Sequence, residues 1–341
     1  MTMSLTLSVL DLAPIAPDET PSQALAHTVR MAQAADEAGY LRVWYAEHHN
    51  MPTIASSATS VLIAHVAAHT ERIRVGAGGI MLPNHSPLTI AEQFGTLGAL
   101  HPGRIDLGLG RAPGGDRAVF AALRRSPSDS DRFPDDVAEL RDYLSGASRV
   151  PGVQSVPAAT SAADAVPVYI LGSSLFGAQL AAALGLPYAF ASHFAPAALH
   201  DAVRVYRDTF QASDALAEPY VIAGVSVYAA DDSADAASQF ATSRRRRVRG
   251  MIQRGPVHSD AAAREYSDDE VDAFLLSPAG SQIAQMARYT AVGTPADVSA
   301  YLENFAAEAQ ADELITVHGA LAADDRERSL RLTAAATAMA G

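Results

Sequence analysis

Eight short apolar runs recur along this chain of 341 residues, and a stretch of helical spacing follows each of them. That alternation restricts the fold more than any other feature, because a strand followed by a helix returns the chain to lay down a parallel neighbour. The runs are Leu5 to Leu12, Leu41 to Tyr45, Ile73 to Ala77, Ile105 to Leu109, Val168 to Leu171, Tyr188 to Ala191, Val221 to Tyr228 and Leu314 to Val317. Eight such units in one continuous chain predict an α/β fold, a single (β/α)8 TIM barrel occupying residues 1–341, rather than an open sheet.

The helix signals are explicit. Thr20-Pro21-Ser22-Gln23 supplies an N-cap, a proline at the first helical position and a capping-box glutamine, and Gly39 ends that helix. Ser86-Pro87 opens another, with Leu88, Ile90, Phe94 and Leu97 at helical spacing. Two segments break the rhythm. Between strands four and five lie a polar loop over residues 111–132, a helix from Phe133 to Leu144 and a connection over 150–167 without periodicity. After strand seven, residues 229–289 are the least regular part and read as a lid-like insertion.

Composition excludes several functions. Net charge is -13, which opposes binding to nucleic acid or an anionic membrane. The chain has no lysine, so Schiff-base and P-loop chemistry are excluded, and no cysteine, so disulfides, thiolate metal sites and thiol nucleophiles are excluded too. The first apolar run lacks a basic flank and no run reaches the length of about 20 residues that spans a bilayer, so a cytoplasmic protein is expected.

Active-site groups of a barrel collect at the C-terminal ends of its strands, and four segments qualify. Glu47-His48-His49 follows strand two. A metal is one reading of the paired histidines, but adjacent residues point to opposite faces and no HxH or HExxH spacing accompanies them, so no metal site is expected. Gly76-Ala77-Gly78-Gly79 ends strand three, either as a simple bulge or as an opening where a flat ring approaches the backbone. Gly108 to Gly115 ends strand four and carries Arg111, an anion ligand or a rim ion pair; its glycine spacing does not fit a dinucleotide loop. Gly172-Ser173-Ser174 leads into a helix containing Gly177, where free N–H groups and hydroxyls suit an anion. Arg111 lies on the neighbouring strand, so the two segments could clamp one phosphate. The run Arg244 to Arg249 reads as a solvated helix face.

These residues carry a resemblance. AEHHN after strand two, VGAGGIMLPNHSPLTIAEQ through strand three, GRIDLGLGRAPG through strand four, LGSS before the fifth helix and VGTP at Val292 to Pro295 resemble the bacterial luciferase-like flavin-dependent monooxygenases, over nearly the whole chain. The resemblance implies a cofactor, reduced FMN delivered by a separate flavin reductase, or a deazaflavin in some branches, with O2 and a small organic molecule as co-substrates. It also implies a homodimer. His48 takes the place of the family's active-site histidine, with Glu47 or His49 setting its tautomer. Ala77, Gly78 and Gly79 fall at the flavin ring, where Gly78-Gly79 corresponds to a non-proline cis peptide. Gly110, Arg111, Gly172, Ser173, Ser174 and Gly177 fall at the phosphate. Two departures stand out: Gly110 replaces the luciferases' reactive cysteine, which argues against light emission, and Ser173 stands where they tend to carry Glu. The same fold could instead serve deazaflavin-dependent hydride transfer, or hold a flavin without turnover.

Overall fold

The computed structural model describes residues 5–112, 117–156, 165–254 and 265–340. Pro113, Gly114 and Gly115 of the strand-four loop and residues 157–164 of the connection lie outside these, as does His258 in the insertion.

The first half of the chain runs β1 (Leu7–Asp11), α1 (Pro21–Glu37), β2 (Arg42–Tyr45), α2 (Thr59–Ala68), β3 (Arg74–Met81), α3 (Pro87–Leu100), β4 (Ile105–Gly110), α4 (Arg117–Leu123) and α5 (Phe133–Leu144). The second half runs β5 (Val168–Gly172), α6 (Leu175–Leu184), β6 (Tyr188–Phe190), α7 (Leu199–Thr209), β7 (Val221–Ala229), α8 (Ser233–Arg254), α9 (Asp268–Leu275), α10 (Pro278–Gln285), β8 (Thr290–Gly293), α11 (Pro295–Ala309), β9 (Glu313–His318) and α12 (Ala323–Ala340). All strand pairs are parallel, and β1 through β7 with β9 close into a ring of eight, β6 joining β7 and β9 joining β1. The expected TIM barrel is therefore what the chain forms.

Three expectations change. The loop over 111–132 contains α4 and a 3-10 turn at Pro127–Arg132. The irregular insertion is largely helical, with α8 alone spanning 22 residues. Its apolar signal is weak because its contacts are small or polar: Ala236, Ser243 and Val248 are buried and Phe240 sits edge-on to Tyr228, 5.3 Å between centroids. A ninth strand, β8, takes in Val292 and Gly293 of the VGTP segment, whose Thr294 and Pro295 open α11. This strand pairs with Ser226 to Ala229 of β7, while the three-residue β6 covers only Val221 to Ala223 of β7.

Local sequence explains the caps. Thr20 Oγ1 accepts from Gln23 N (3.3 Å) and Gln23 Oε1 from Thr20 N (2.9 Å), the reciprocal pair anticipated for α1. Thr294 and Asp297 repeat this at α11.

Alternation along the strands divides two cores. Val9, Val43, Tyr45, Val75 and Leu107 face the helices, whereas Leu10, Trp44, Tyr169, Ala189, Ile222, Ile315 and Val317 cluster inside the ring. Below that inner layer the barrel floor is charged. Arg42 donates to Glu313 Oε1 (2.9 Å) and Oε2 (3.1 Å), to Asp106 Oδ2 (2.8 Å) and to the Tyr169 hydroxyl (2.6 Å). Arg74 donates to Asp106 Oδ1, and Ser8 and Tyr220 to Glu313. Glu313 and Asp106 have no solvent exposure. Removing one partner from such a set leaves an uncompensated buried charge.

Arg42→Met is accordingly expected to lower the unfolding free energy by about 3–5 kcal/mol, read from urea melts. Arg328→Gln, at the exposed pair with Asp231, should leave the midpoint nearly where it is. A second expectation concerns acid. Burial pushes the His318 imidazole down to about 3, so the native state stays unprotonated there while the unfolded chain takes up a proton below its ordinary 6.5. Stability is thus complete above that value and falls as pH drops, by about 1.4 kcal/mol per unit for this group. His318→Gln should reduce the proton uptake on unfolding at pH 5 by about one.

Candidate active site

A cavity of about 1110 Å³ opens at the C-terminal ends of the strands, over the inner apolar layer. Trp44, Leu10, Ile315 and Val317 form its base. Volumes of roughly 300–1,000 Å³ serve ordinary small ligands, so there is room for more than one.

Strand two delivers His48 to this wall, but Glu47 and His49 are not part of it. The Glu47 carboxylate, nearly without exposure, accepts from His49 Nε2 (2.8 Å), His85 Nε2 (2.9 Å), Asn84 Nδ2 (3.2 Å) and Met81 N (3.0 Å). Burial acts to raise this carboxyl, yet hydrogen bonds and charge from His85, with those of His49 and Met81, outweigh it and hold the group below its ordinary value. The expectation that Glu47 or His49 sets the His48 tautomer is corrected: the described residues show no hydrogen bond from His48 to either. Glu47 instead braces the turn after β3, and its own N–H donates to Gly79 O (3.2 Å). Burial lowers the His48 imidazole, only partly offset by the Ala46 backbone and the Glu47 charge, so it is neutral at pH 7.

Strand three contributes Gly78 and Gly79, joined by a cis peptide bond, while Ala77 is fully buried behind them. Close strand approach requires the glycines here. A Cβ on Gly79 would stand 2.7 Å from Gly108 O, and one on Gly78 would stand 2.8 Å from Trp44 Cβ. The β3–β4 register shifts between Ala77 and Ile80 at the same place.

Strand four ends at Gly110, and Arg111 follows it on the wall. Its guanidinium lies 4.0 Å over the centroid of Phe176, in the first turn of α6. Ser174, the N-cap of α6, makes no side-chain capping bond, and Gly172, Ser173, Ser174 and Gly177 line the cavity beside it. Arg111 and the α6 N-terminus are thus brought together.

Several wall residues escaped sequence reading. Arg244, Arg246 and Arg247 of α8 face the cavity, so their run is only in part a solvated face. His193, just past β6, is buried, and burial with the charges of Arg247 and His48 pushes its imidazole down to about 3. His85, bound to Glu47, carried no signal beyond lying in the segment after β3. Among the described residues, no group of three His, Cys, Asp or Glu side chains is placed to hold a metal ion, and no helix is long and apolar enough to cross a membrane.

Comparison with known proteins identifies the family. The model of the luciferase-like monooxygenases matches residues 5–313. The chain is 45% identical to a luciferase-like monooxygenase of Escherichia coli K12, covering 92% of this chain and 91% of that one. The crystal structure of apo-MsnO8 is 36% identical, with a TM-score of 0.84 and 98% of each chain covered. The oxygenating constituent of 3,6-diketocamphane monooxygenase from Pseudomonas putida, in complex with FMN, shares the fold at a TM-score of 0.71 and 16% identity, with 96% of each chain covered. Matched over nearly its full length by both sequence and structure, the chain belongs to the luciferase-like monooxygenase family.

Proposed function

We propose that this protein is the oxygenase of a flavin-dependent monooxygenase pair, taking reduced FMN from a separate reductase and inserting one atom of O2 into a small organic substrate. One observation carries the reading: His48, the Gly78-Gly79 edge and Arg111 beside the α6 N-terminus lie on the wall of one cavity. The residues fit the cofactor. Glycines leave a flat backbone face for a ring, and Arg111 with the N–H groups and hydroxyls at Ser173 and Ser174 suits a phosphate.

Bound reduced flavin supplies the electrons that activate O2. The protein binds and orients it, and the apolar base of Trp44, Ile315 and Val317 excludes water. His48, neutral and partly desolvated, can accept a proton from substrate or return one to a leaving oxygen. The helices α8, α9 and α10 cover the site from the insertion.

Purified protein mixed anaerobically with reduced FMN should bind it, and reduced FMN should be preferred over a reduced deazaflavin; the reverse preference, without oxygen consumption, would point to hydride transfer. His48→Ala should keep FMN affinity and lose oxygen transfer by roughly 10²–10⁴-fold in single-turnover assays. Arg111→Ala should weaken FMN binding by about 1.5–3 kcal/mol, the worth of a charge-assisted bond, read by flavin fluorescence.

A further inference from the structure

Helix α8 divides its arginines between two faces. Arg245 pairs with Asp272 (2.5 Å) and Asp268 (3.4 Å), and Arg249 pairs with Asp268 and donates to Tyr266 O (2.8 Å). These use the acids of α9. Arg244, Arg246 and Arg247 line the cavity instead. Arg246 donates to Ile15 O (2.8 Å), which fastens α8 to the loop after β1. Arg244 and Arg247, one turn apart, make no ion pair among the described residues, and the buried Arg244 Nε has no hydrogen-bond partner.

No Asp or Glu lines the cavity among the described residues. In a chain of net charge -13 the wall is therefore locally positive, with Arg244 and Arg247 on α8, which packs against β7 and β8, and Arg111 just after β4, a strand that pairs with neither of those two. The charge of Arg247 also reaches His193 in the wall and helps to keep it neutral. Arg244 is half-buried, with its guanidinium 5.4 Å from the centroid of the Phe240 ring, a contact that leaves its buried Nε unpaired, and an oxyanion supplies the acceptor this group lacks. Around the pair the lid surface is apolar, with Met251, Leu275, Ile283 and Met286 on the wall.

We propose that the substrate is an organic anion with an apolar body, its oxyanion held by Arg244 and Arg247 of α8 while the body lies over the apolar base. This rests on the reading of the cavity as a flavin oxygenase site, and the following test separates the two.

Trp44 is the single tryptophan and lies in the cavity base, so its fluorescence reports occupancy whether or not flavin is bound. Octanoate and its neutral counterpart octanamide are titrated into the protein with and without FMN. Octanoate should bind at least about tenfold more tightly than octanamide. The variant R244Q/R247Q should weaken octanoate by about tenfold or more, while FMN affinity moves less than roughly threefold. Arg247→Gln alone, at an exposed position where folding is not at risk, should give a smaller loss in the same direction. Equal binding of the two probes, no octanoate binding, or unchanged octanoate affinity in the variants would overturn the assignment. A parallel loss of FMN affinity would overturn it too, by giving the arginines to the flavin. Failure of FMN to bind defeats the flavin reading alone, because the octanoate titration without flavin still decides this one.

Discussion

The buried ion set around Arg42 is the constraint on which the barrel depends. Ser8 of β1, Arg42 of β2, Arg74 of β3, Asp106 of β4, Tyr169 of β5 and Glu313 of β9 meet in it, with Tyr220 just before β7. Charges this deep are tolerated only when every one has a partner, so the network fixes the relative positions of nearly all the strands at their N-terminal ends. It also separates the interior into two halves. The floor is polar and self-satisfied, and the Trp44 indole N–H reaches down to Asp106 (3.0 Å) as its roof. Above Trp44 the interior is apolar and open, and the cavity begins there.

A second buried carboxylate does at the rim what Asp106 and Glu313 do at the floor. Glu47 gathers donors from the end of β2 and the turn after β3, and its backbone N–H is tied to the Gly79 carbonyl. The segments that carry His48 and the Gly78-Gly79 edge are thereby held together from behind, without a polar contact to either on the cavity side. That arrangement leaves His48 facing whatever occupies the cavity, its basicity reduced by burial, an effect that the Glu47 charge offsets only in part.

Legibility in the sequence followed the strength of local signals. The eight ring strands were visible because parallel strands buried on both faces are written as apolar runs, and α1 was visible because Thr20 to Gln23 spell its cap. The strand-end rule brought out His48, the glycines of β3 and Arg111 without any knowledge of contacts. What stayed hidden depends on pairing across long separations. Arg42 and Glu313 are 271 residues apart, and no spacing announces that they meet. His85 gains its role only when the turn after β3 folds onto Glu47. The arginine run on α8 is ambiguous by nature, since a helix presents neighbouring residues to different sides, and only the packing of α9 reveals which arginines are neutralised.

That ambiguity has a structural consequence for the insertion as a whole. Were α8 held only by apolar contacts, its small buried stripe of Ala236 and Val248 would anchor it weakly. The outer arginines bind it to α9, and Arg246 binds it to the loop after β1, so one helix is fastened on two sides while a third set of guanidiniums remains turned toward the cavity. Positive charge is thus placed at two separate stations of the same rim, one at Arg111 beside α6 and one on α8, with an apolar floor between them. With a flavin phosphate at Arg111 and a substrate oxyanion on α8, as proposed, the uncharged parts of both ligands would lie over the apolar base at Trp44, in the cavity whose wall carries His48.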